Sequence, residues 1–181
     1  MIFETTRLYI RHWGANDLHD LHDLYSDPAI CEFIGPSLNI SETKQIFEDQ
    51  LRQYKITPGV GRYVIIKKKT GLFIGTFLLR SIDEKNAVEI GYAFKKADWG
   101  KGLATEVVTR SLKYIFESTP FQTIYAFTEP ANVNSKNVLD KCGFVQQDDI
   151  FEEGAQLNSF SITQTRLLRW GPANEFLQPP S

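Results

Sequence analysis

Glu89-Ile90-Gly91-Tyr92-Ala93-Phe94-Lys95-Lys96-Ala97-Asp98-Trp99-Gly100-Lys101-Gly102-Leu103-Ala104-Thr105-Glu106 is the stretch on which the fold assignment turns. Val88, Ile90, Tyr92 and Phe94 alternate with other residues, which predicts a strand over Ala87–Phe94. Asp98-Trp99-Gly100-Lys101-Gly102 is a glycine-containing loop. Beyond it, Ala104, Val108, Leu112 and Ile115 fall at i, i+4, i+8 and i+11, the pattern of an amphipathic helix ending near Pro120. A helix start carries unpaired N–H groups and partial positive charge. Glycines ahead of it let the chain turn and let a ligand approach the backbone. Together they predict an anion site, most often for phosphate, with Lys101 adding charge. The loop is not a Walker A motif, because GxxxxGK[ST] is absent, and Leu103-Ala104-Thr105 breaks a GxGxxG pattern. On spacing alone, a glycine turn without a ligand stands equally open.

Working outward, residues 124–128 read as a short strand. Asn132–Ser135 reads as a cap before a helix with Val138, Leu139 and Cys142 on its apolar side, and Gly143 suits its C′ position. Residues 144–151 and 159–170 are the last strand candidates, and residues 171–181 read as a loose tail. Upstream, residues 63–68 and 72–79 are strands joined by a Lys69-Thr70-Gly71 turn. Together with Ala87–Phe94 they suggest an antiparallel meander. Pro58-Gly59-Val60-Gly61 and residues 82–86 are breaks. Near the start, Leu8 and Ile10 alternate as a strand. Asn16 or Asp17 can cap a helix carrying Leu18, Leu21, Leu24 and Tyr25, stopped by Pro28. Ser41 is the expected cap of a second helix with Phe47, Leu51 and Tyr54 on one face. The predicted order is strand, two helices, three strands, helix, strand, helix, two strands. That is an α+β chain with a mixed sheet, not a doubly wound fold.

The chain has 181 residues, and a domain of that size can bury roughly two-thirds of its unfolded surface without a disulfide or metal. The reading is one domain over residues 1–170. Hydrophobic residues make up 42% and charged residues 23%, a globular composition. A net charge of −2 argues against a general nucleic-acid binder while leaving room for a local basic site. No apolar run approaches ~18 residues, so no membrane span is expected. Cys31 and Cys142 are too few for a disulfide framework and lack zinc spacing, so a reducing cytoplasmic setting is expected and no metal. Cys142 reads as a buried structural thiol. His19, Asp20, His22 and Asp23 could form a metal site, but such a polar helix face is usually only solvated.

Several of these pieces, in order, resemble the GNAT superfamily of acetyl-CoA-dependent N-acetyltransferases, in its RimJ/RimL-like branch. Thr6-Arg7-Leu8-Tyr9-Ile10-Arg11 resembles the opening strand, and Asp27-Pro28 the end of the first helix. Phe73-Ile74-Gly75 resembles the central hairpin, and Glu89-Ile90-Gly91-Tyr92 the strand before the loop. Residues 99–106 resemble the pyrophosphate loop. Asn132-x-x-Ser135 and Val138-Leu139-Asp140-Lys141-x-Gly143-Phe144 resemble the later CoA-contacting helix. The resemblance covers residues 5–168. It implies a GNAT fold of about seven strands, with a splayed parallel pair, flanked by about four helices.

The resemblance also implies a mechanism. Acetyl-CoA lies between the splayed strands, its pantetheine arm on the backbone of Ala93, Phe94 and Lys95. Its pyrophosphate lies on Trp99, Gly100, Lys101, Gly102, Leu103, Ala104 and Thr105. Asn132 and Asn137 contribute to the cofactor side. Ser135 is the candidate beside the thiolate as well as a cofactor contact, and Glu89 the candidate base for the ammonium proton. The family's usual proton-donor tyrosine is replaced by Leu139, which shifts that role to Ser135 or water. Both candidates have bland readings: Glu89 as a strand carboxylate paired with a cation, and Ser135 as a cap residue.

Trp13, Tyr25, Phe33 and Tyr54 read as core or as the lining of an acceptor pocket. Glu152 and Glu153 read as a solvated loop pair that could instead hold a cationic acceptor. The branch implies an amine acceptor, either a protein N-terminus or a small molecule such as a polyamine, amino acid or aminoglycoside. It leaves a homodimer open. A catalytically silent acyl-CoA-binding module is the reading of a different class.

Overall fold

The computed structural model describes residues 1–56, 59–82, 86–152 and 154–170. Its elements begin with strands β1 (Phe3–Glu4) and β2 (Leu8–Arg11), then helices α1 (Leu18–Ser26), α2 (Pro28–Ile34) and α3 (Ile40–Ile56). Strands β3 (Gly61–Lys67), β4 (Phe73–Ile82) and β5 (Ala87–Phe94) follow, then α4 (Leu103–Ser118) and β6 (Thr123–Thr128). Helix α5 (Val133–Lys141), strands β7 (Val145–Gln146), β8 (Ile150–Glu152) and β9 (Ala155–Thr163), and helix α6 (Gln164–Arg169) complete the order. The class is α+β as predicted. Short pieces raise the count among the described residues to nine strands and six α-helices, against the expected seven and four.

The chain forms two compact units. The first holds Met1–Arg80 and Gly91–Leu103, the second Ser81–Ile90 and the residues from Ala104 on. Strand β5 therefore gives its first half to one and its second half to the other.

In the first unit, β1, β2, β3 and β4 pair in succession as an antiparallel ladder. Leu8 and Ile10 alternate inward with Tyr9 exposed, and each is fully buried. Trp13, Leu21, Leu24, Tyr25, Ile30, Phe47, Val64, Ile66 and Phe73 form one apolar cluster. Each such side chain contributes about 1.5–3 kcal/mol of burial free energy. The Lys69-Thr70-Gly71 turn is present, with Gly71 N–H on the Lys67 carbonyl at 2.8 Å. Strand β4 carries an extra residue at Ile74, where the register with β3 shifts. The carbonyl of Ile74 takes the N–H of Lys95 at 2.8 Å. A Cβ on Gly75 would lie 2.1 Å from the Ala93 carbonyl oxygen, so only glycine lets β5 approach here.

In the second unit, β5 and β6 form the parallel pair. Its register covers Ala87↔Thr123, Val88↔Ile124 and Glu89↔Tyr125, and β6 runs on to Thr128. Strand β9 lies antiparallel to β6, and β7 and β8 pair with β9. Val88, Ile124 and Ile162 make a buried row across three strands, and Val107, Val108, Leu112 and Ile115 are the buried face of α4.

Three expectations are corrected. Pro28 does not merely stop a helix: it opens α2, with Asp27 Oδ1 capping the Ala29 N–H at 2.9 Å. Ser41 is not the cap of α3. Asn39 and Glu42 bond each other's backbone N–H groups at 3.0 and 2.7 Å, a reciprocal capping box. Residues 159–170 are not one strand. Thr163 accepts the Arg166 N–H at 3.2 Å and turns the chain into α6, whose Trp170 lies against Gly143. The expected tail at 171–181, and parts of the breaks at Pro58 and residues 82–86, lie outside the described residues.

Candidate active site

The glycine loop is built within the first unit. Strand β5 ends at Phe94, a short 3-10 turn covers Lys96–Asp98, and the indole N–H of Trp99 donates to the Phe94 carbonyl at 2.7 Å. Gly100 and Gly102 follow with φ of +71° and +72°, a region that β-carbon residues rarely adopt. Nothing lies within 4 Å of a Cβ placed on Gly100, so that side of the loop is open. Leu103 is buried and starts α4, and the half-buried Ala104 and Thr105 continue its first turn. An open, left-handed Gly-x-Gly running into a helix start presents backbone N–H donors to an anion, so the loop fits a diphosphate.

The backbone named for the pantetheine arm is partly engaged already. Lys95 N–H is committed to Ile74, the Ala93 carbonyl rests on Gly75, and the Phe94 carbonyl takes Trp99. Strand pleating turns the amides of Tyr92 and Phe94 to the edge opposite those of Ala93 and Lys95. Lys101 behaves differently from expectation. Its ammonium folds back onto Asp98 Oδ1 at 3.1 Å and the Ala97 carbonyl at 2.5 Å. Asp98 is buried and also takes Lys67 Nζ at 2.6 Å. Burial pushes the Asp98 carboxyl up, but the bonds and charges of Lys67 and Lys101 outweigh it and hold it below the usual carboxylate range. The guanidinium of Arg7 donates to the Lys101 carbonyl at 3.0 Å. Sequence reasoning missed Arg7 and Lys67 as partners of the loop, and placed Asp98 in it without its role as the carboxylate that holds Lys101. Arg7 appeared only in the opening-strand motif, and Lys67 only within the strand read over residues 63–68.

The remaining candidates belong to the second unit. Glu89 is 8% exposed and stands at the last pair of the parallel register, opposite Tyr125. Asn132 caps α5, its Oδ1 accepting the Ser135 N–H at 3.0 Å, so the cap reading of this motif holds. Ser135 is half-buried on the first turn and Asn137 exposed on the second. Leu139 is 1% exposed and belongs to the core. Cys142 is buried beside Thr109 Oγ1 at 3.5 Å, and burial pushes its thiol up to about 11, so it stays protonated and inert.

The other candidates are placed as follows. Trp13 and Tyr25 lie in the apolar cluster, and Tyr54 packs against it, its hydroxyl accepting the Trp13 N–H and donating to the Arg62 carbonyl. Phe33 is half-buried on α2. Asp20 pairs with Lys95 at 2.9 Å and His22 Nδ1 lies 3.2 Å from Thr43 Oγ1. Among the described residues, no three His, Cys, Asp or Glu side chains gather as a metal site. No described helix is long and apolar enough to cross a membrane. Glu152 sits on β8, while Glu153 lies outside the described residues.

Comparison with known proteins agrees with this geometry. Residues 7–145 match the family model of the acetyltransferase (GNAT) domain. The uncharacterized N-acetyltransferase p20 of Bacillus licheniformis is 31% identical over 146 residues, covering 79% of this chain and 82% of that protein. The spermidine N-acetyltransferase of Vibrio cholerae, solved with CoA and spermine, has a TM-score of 0.77 at 21% identity, covering 90% of this chain and 99% of that one. RimL, a ribosomal L7/L12 α-N-protein acetyltransferase solved with CoA, has a TM-score of 0.76 at 15% identity over 90% and 97% of the two chains. With the loop, the capped α5 and the parallel pair in place, this chain belongs to the GNAT family of acetyl-CoA-dependent N-acetyltransferases.

Proposed function

We propose that the protein moves the acetyl group of acetyl-CoA directly to a primary amine. The observation that carries this reading is the open Gly100-Lys101-Gly102 turn, left-handed at both glycines and running into α4. Residues 1–170 act as one catalytic domain, a reading supported by a family match that runs through both units.

The loop amides take the diphosphate, and the outer edge of Tyr92 and Phe94 takes the pantetheine amides. Asn132 and Asn137 contact the cofactor from α5. Glu89 takes the ammonium proton, directly or through a water it orders. The amine nitrogen then attacks the thioester carbonyl carbon, a C–N bond forms and the C–S bond breaks. Ser135 supplies a proton to the leaving thiolate and is reprotonated by the second proton that the new amide nitrogen sheds, so one net proton leaves through Glu89.

The acceptor is an amine of either of two kinds, a protein N-terminal α-amine or a small molecule such as a polyamine, an amino acid or an aminoglycoside. Relatives of both kinds share the fold. The test is calorimetric titration with acetyl-CoA, then thiol release against N-terminal peptides and against small amines. Binding with release on one class confirms transfer and selects the acceptor. Binding without release on any amine favours a silent acyl-CoA-binding module. Absence of binding removes the donor assignment.

A further inference from the structure

We infer that Arg7 is a positioning residue for the diphosphate loop: it draws the Lys101 carbonyl to one side and thereby aims the Gly102 N–H to the other. The inference rests on the donor assignment above and adds a residue that acts on the loop from outside it.

The base of Arg7 is fixed before its side chain is considered. Thr5 N–H bonds the Leu8 carbonyl at 3.0 Å, Leu8 N–H bonds Thr5 Oγ1 at 3.0 Å, and Lys68 N–H bonds the Arg7 carbonyl at 2.9 Å. From this anchored turn the guanidinium reaches 94 residues along the chain to the Lys101 carbonyl, at 3.0 Å. The peptide joining Lys101 to Gly102 is trans, so its C=O and N–H point in opposite directions. Holding the carbonyl at Arg7 therefore turns the Gly102 N–H away from the guanidinium. Arg7 Nη2 lies 3.8 Å from the site of a Cβ on Gly102, while the Gly100 side is open.

The other end of Lys101 is held as well. Its ammonium is bonded to Asp98 and the Ala97 carbonyl, and Asp98 is anchored in turn by Lys67. A Gly-x-Gly segment is ordinarily among the most mobile in a chain. Here the central residue is gripped at its carbonyl and at its side chain, so the ordering that an anion would otherwise impose is already in place. The Arg7 and Lys101 side chains are exposed, and contacts of that kind add little to folding stability. The effect of the grip thus falls on ligand affinity, not on melting temperature.

The test titrates wild type, Arg7→Met and Arg7→Lys calorimetrically with acetyl-CoA and with S-acetylpantetheine, which lacks the diphosphate. Arg7→Met is expected to weaken acetyl-CoA about tenfold, the scale of one charge-assisted hydrogen bond. It should leave S-acetylpantetheine affinity, Tm and the ionic-strength dependence of Kd at their wild-type values. Arg7→Lys keeps one donor and is expected to lose about threefold on acetyl-CoA alone, which preserves the test if Arg7→Met does not fold. An unchanged acetyl-CoA Kd, or an equal loss on both ligands, overturns the inference. So does a loss with a shallower salt dependence, since that identifies Arg7 as a direct phosphate ion pair. Failure of wild type to bind acetyl-CoA overturns the donor assignment instead.

Discussion

At the entry to α5, the contact that fixes the backbone comes from three residues away: Asn132 Oδ1 holds the Ser135 N–H. At the glycine loop before α4, the fixing partners come from 94 residues away, through Arg7, and from 31 residues away, through Lys67 on Asp98. One junction is a local motif that any chain carrying Asn-x-x-Ser before an apolar helix can form. The other exists only after β2 and β3 have paired and brought Arg7 and Lys67 to it. A capped junction should lose stability when its one local bond is cut. A braced junction should lose ligand affinity while folding is nearly untouched.

The sharpest break of this contrast is Gly102→Glu. A side chain on a residue whose φ of +72° disfavours one, carrying a carboxylate that competes with the Lys101 carbonyl for the Arg7 guanidinium, should abolish calorimetric binding of acetyl-CoA. Retained affinity would remove the loop from the site. Ser135→Ala comes next, with kcat expected to fall about 10- to 100-fold and the acetyl-CoA Kd to move much less. Equal losses in both would make Ser135 a binding residue. Asn132→Ala cuts the local cap and should cost about 1 kcal/mol, a drop of roughly 2–4 °C in Tm by thermal melts. No drop would mean that other contacts hold the α5 entry.

The smallest effect belongs to Asp98→Asn, expected to destabilise by no more than about 1 kcal/mol at neutral pH. The Asp98 carboxyl is held below its ordinary value, so its contribution is present above the unfolded pKa of about 3.9. It is lost as pH falls through the depressed folded value. Wild type and Asp98→Asn should therefore begin to converge in denaturant melts below about pH 4 and meet only below the depressed folded value. A gap that persists in acid would mean that Asp98 acts by packing and not by charge.

Short-range patterns were the legible part of this chain. The alternation at Val88, Ile90, Tyr92 and Phe94 matched β5 at both ends, and the i, i+4, i+8, i+11 run matched α4 within one or two residues. The Asn132 cap and the Gly143 turn were legible for the same reason: donor and acceptor lie within one helical turn. The Asn39–Glu42 box was also local, but Ser41 offered a competing cap two residues on, and only the backbone path decided between them. The helix begun by Pro28 was misread because proline ends one helix and opens the next equally well.

The amino-acid sequence by itself determined the α+β class, strand β5, helices α4 and α5, and a glycine turn able to take an anion, while the tie of the α5 junction to a cofactor came from the resemblance to the GNAT superfamily. Those elements and the turn depend on periodicity, glycine conformations and caps, all set by residues a few positions apart. Only the tertiary structure decided how the glycine loop is held and which residues hold it. The grip of Arg7 on Lys101 and of Lys67 on Asp98 depends on strand register, which brings together residues that no local pattern connects.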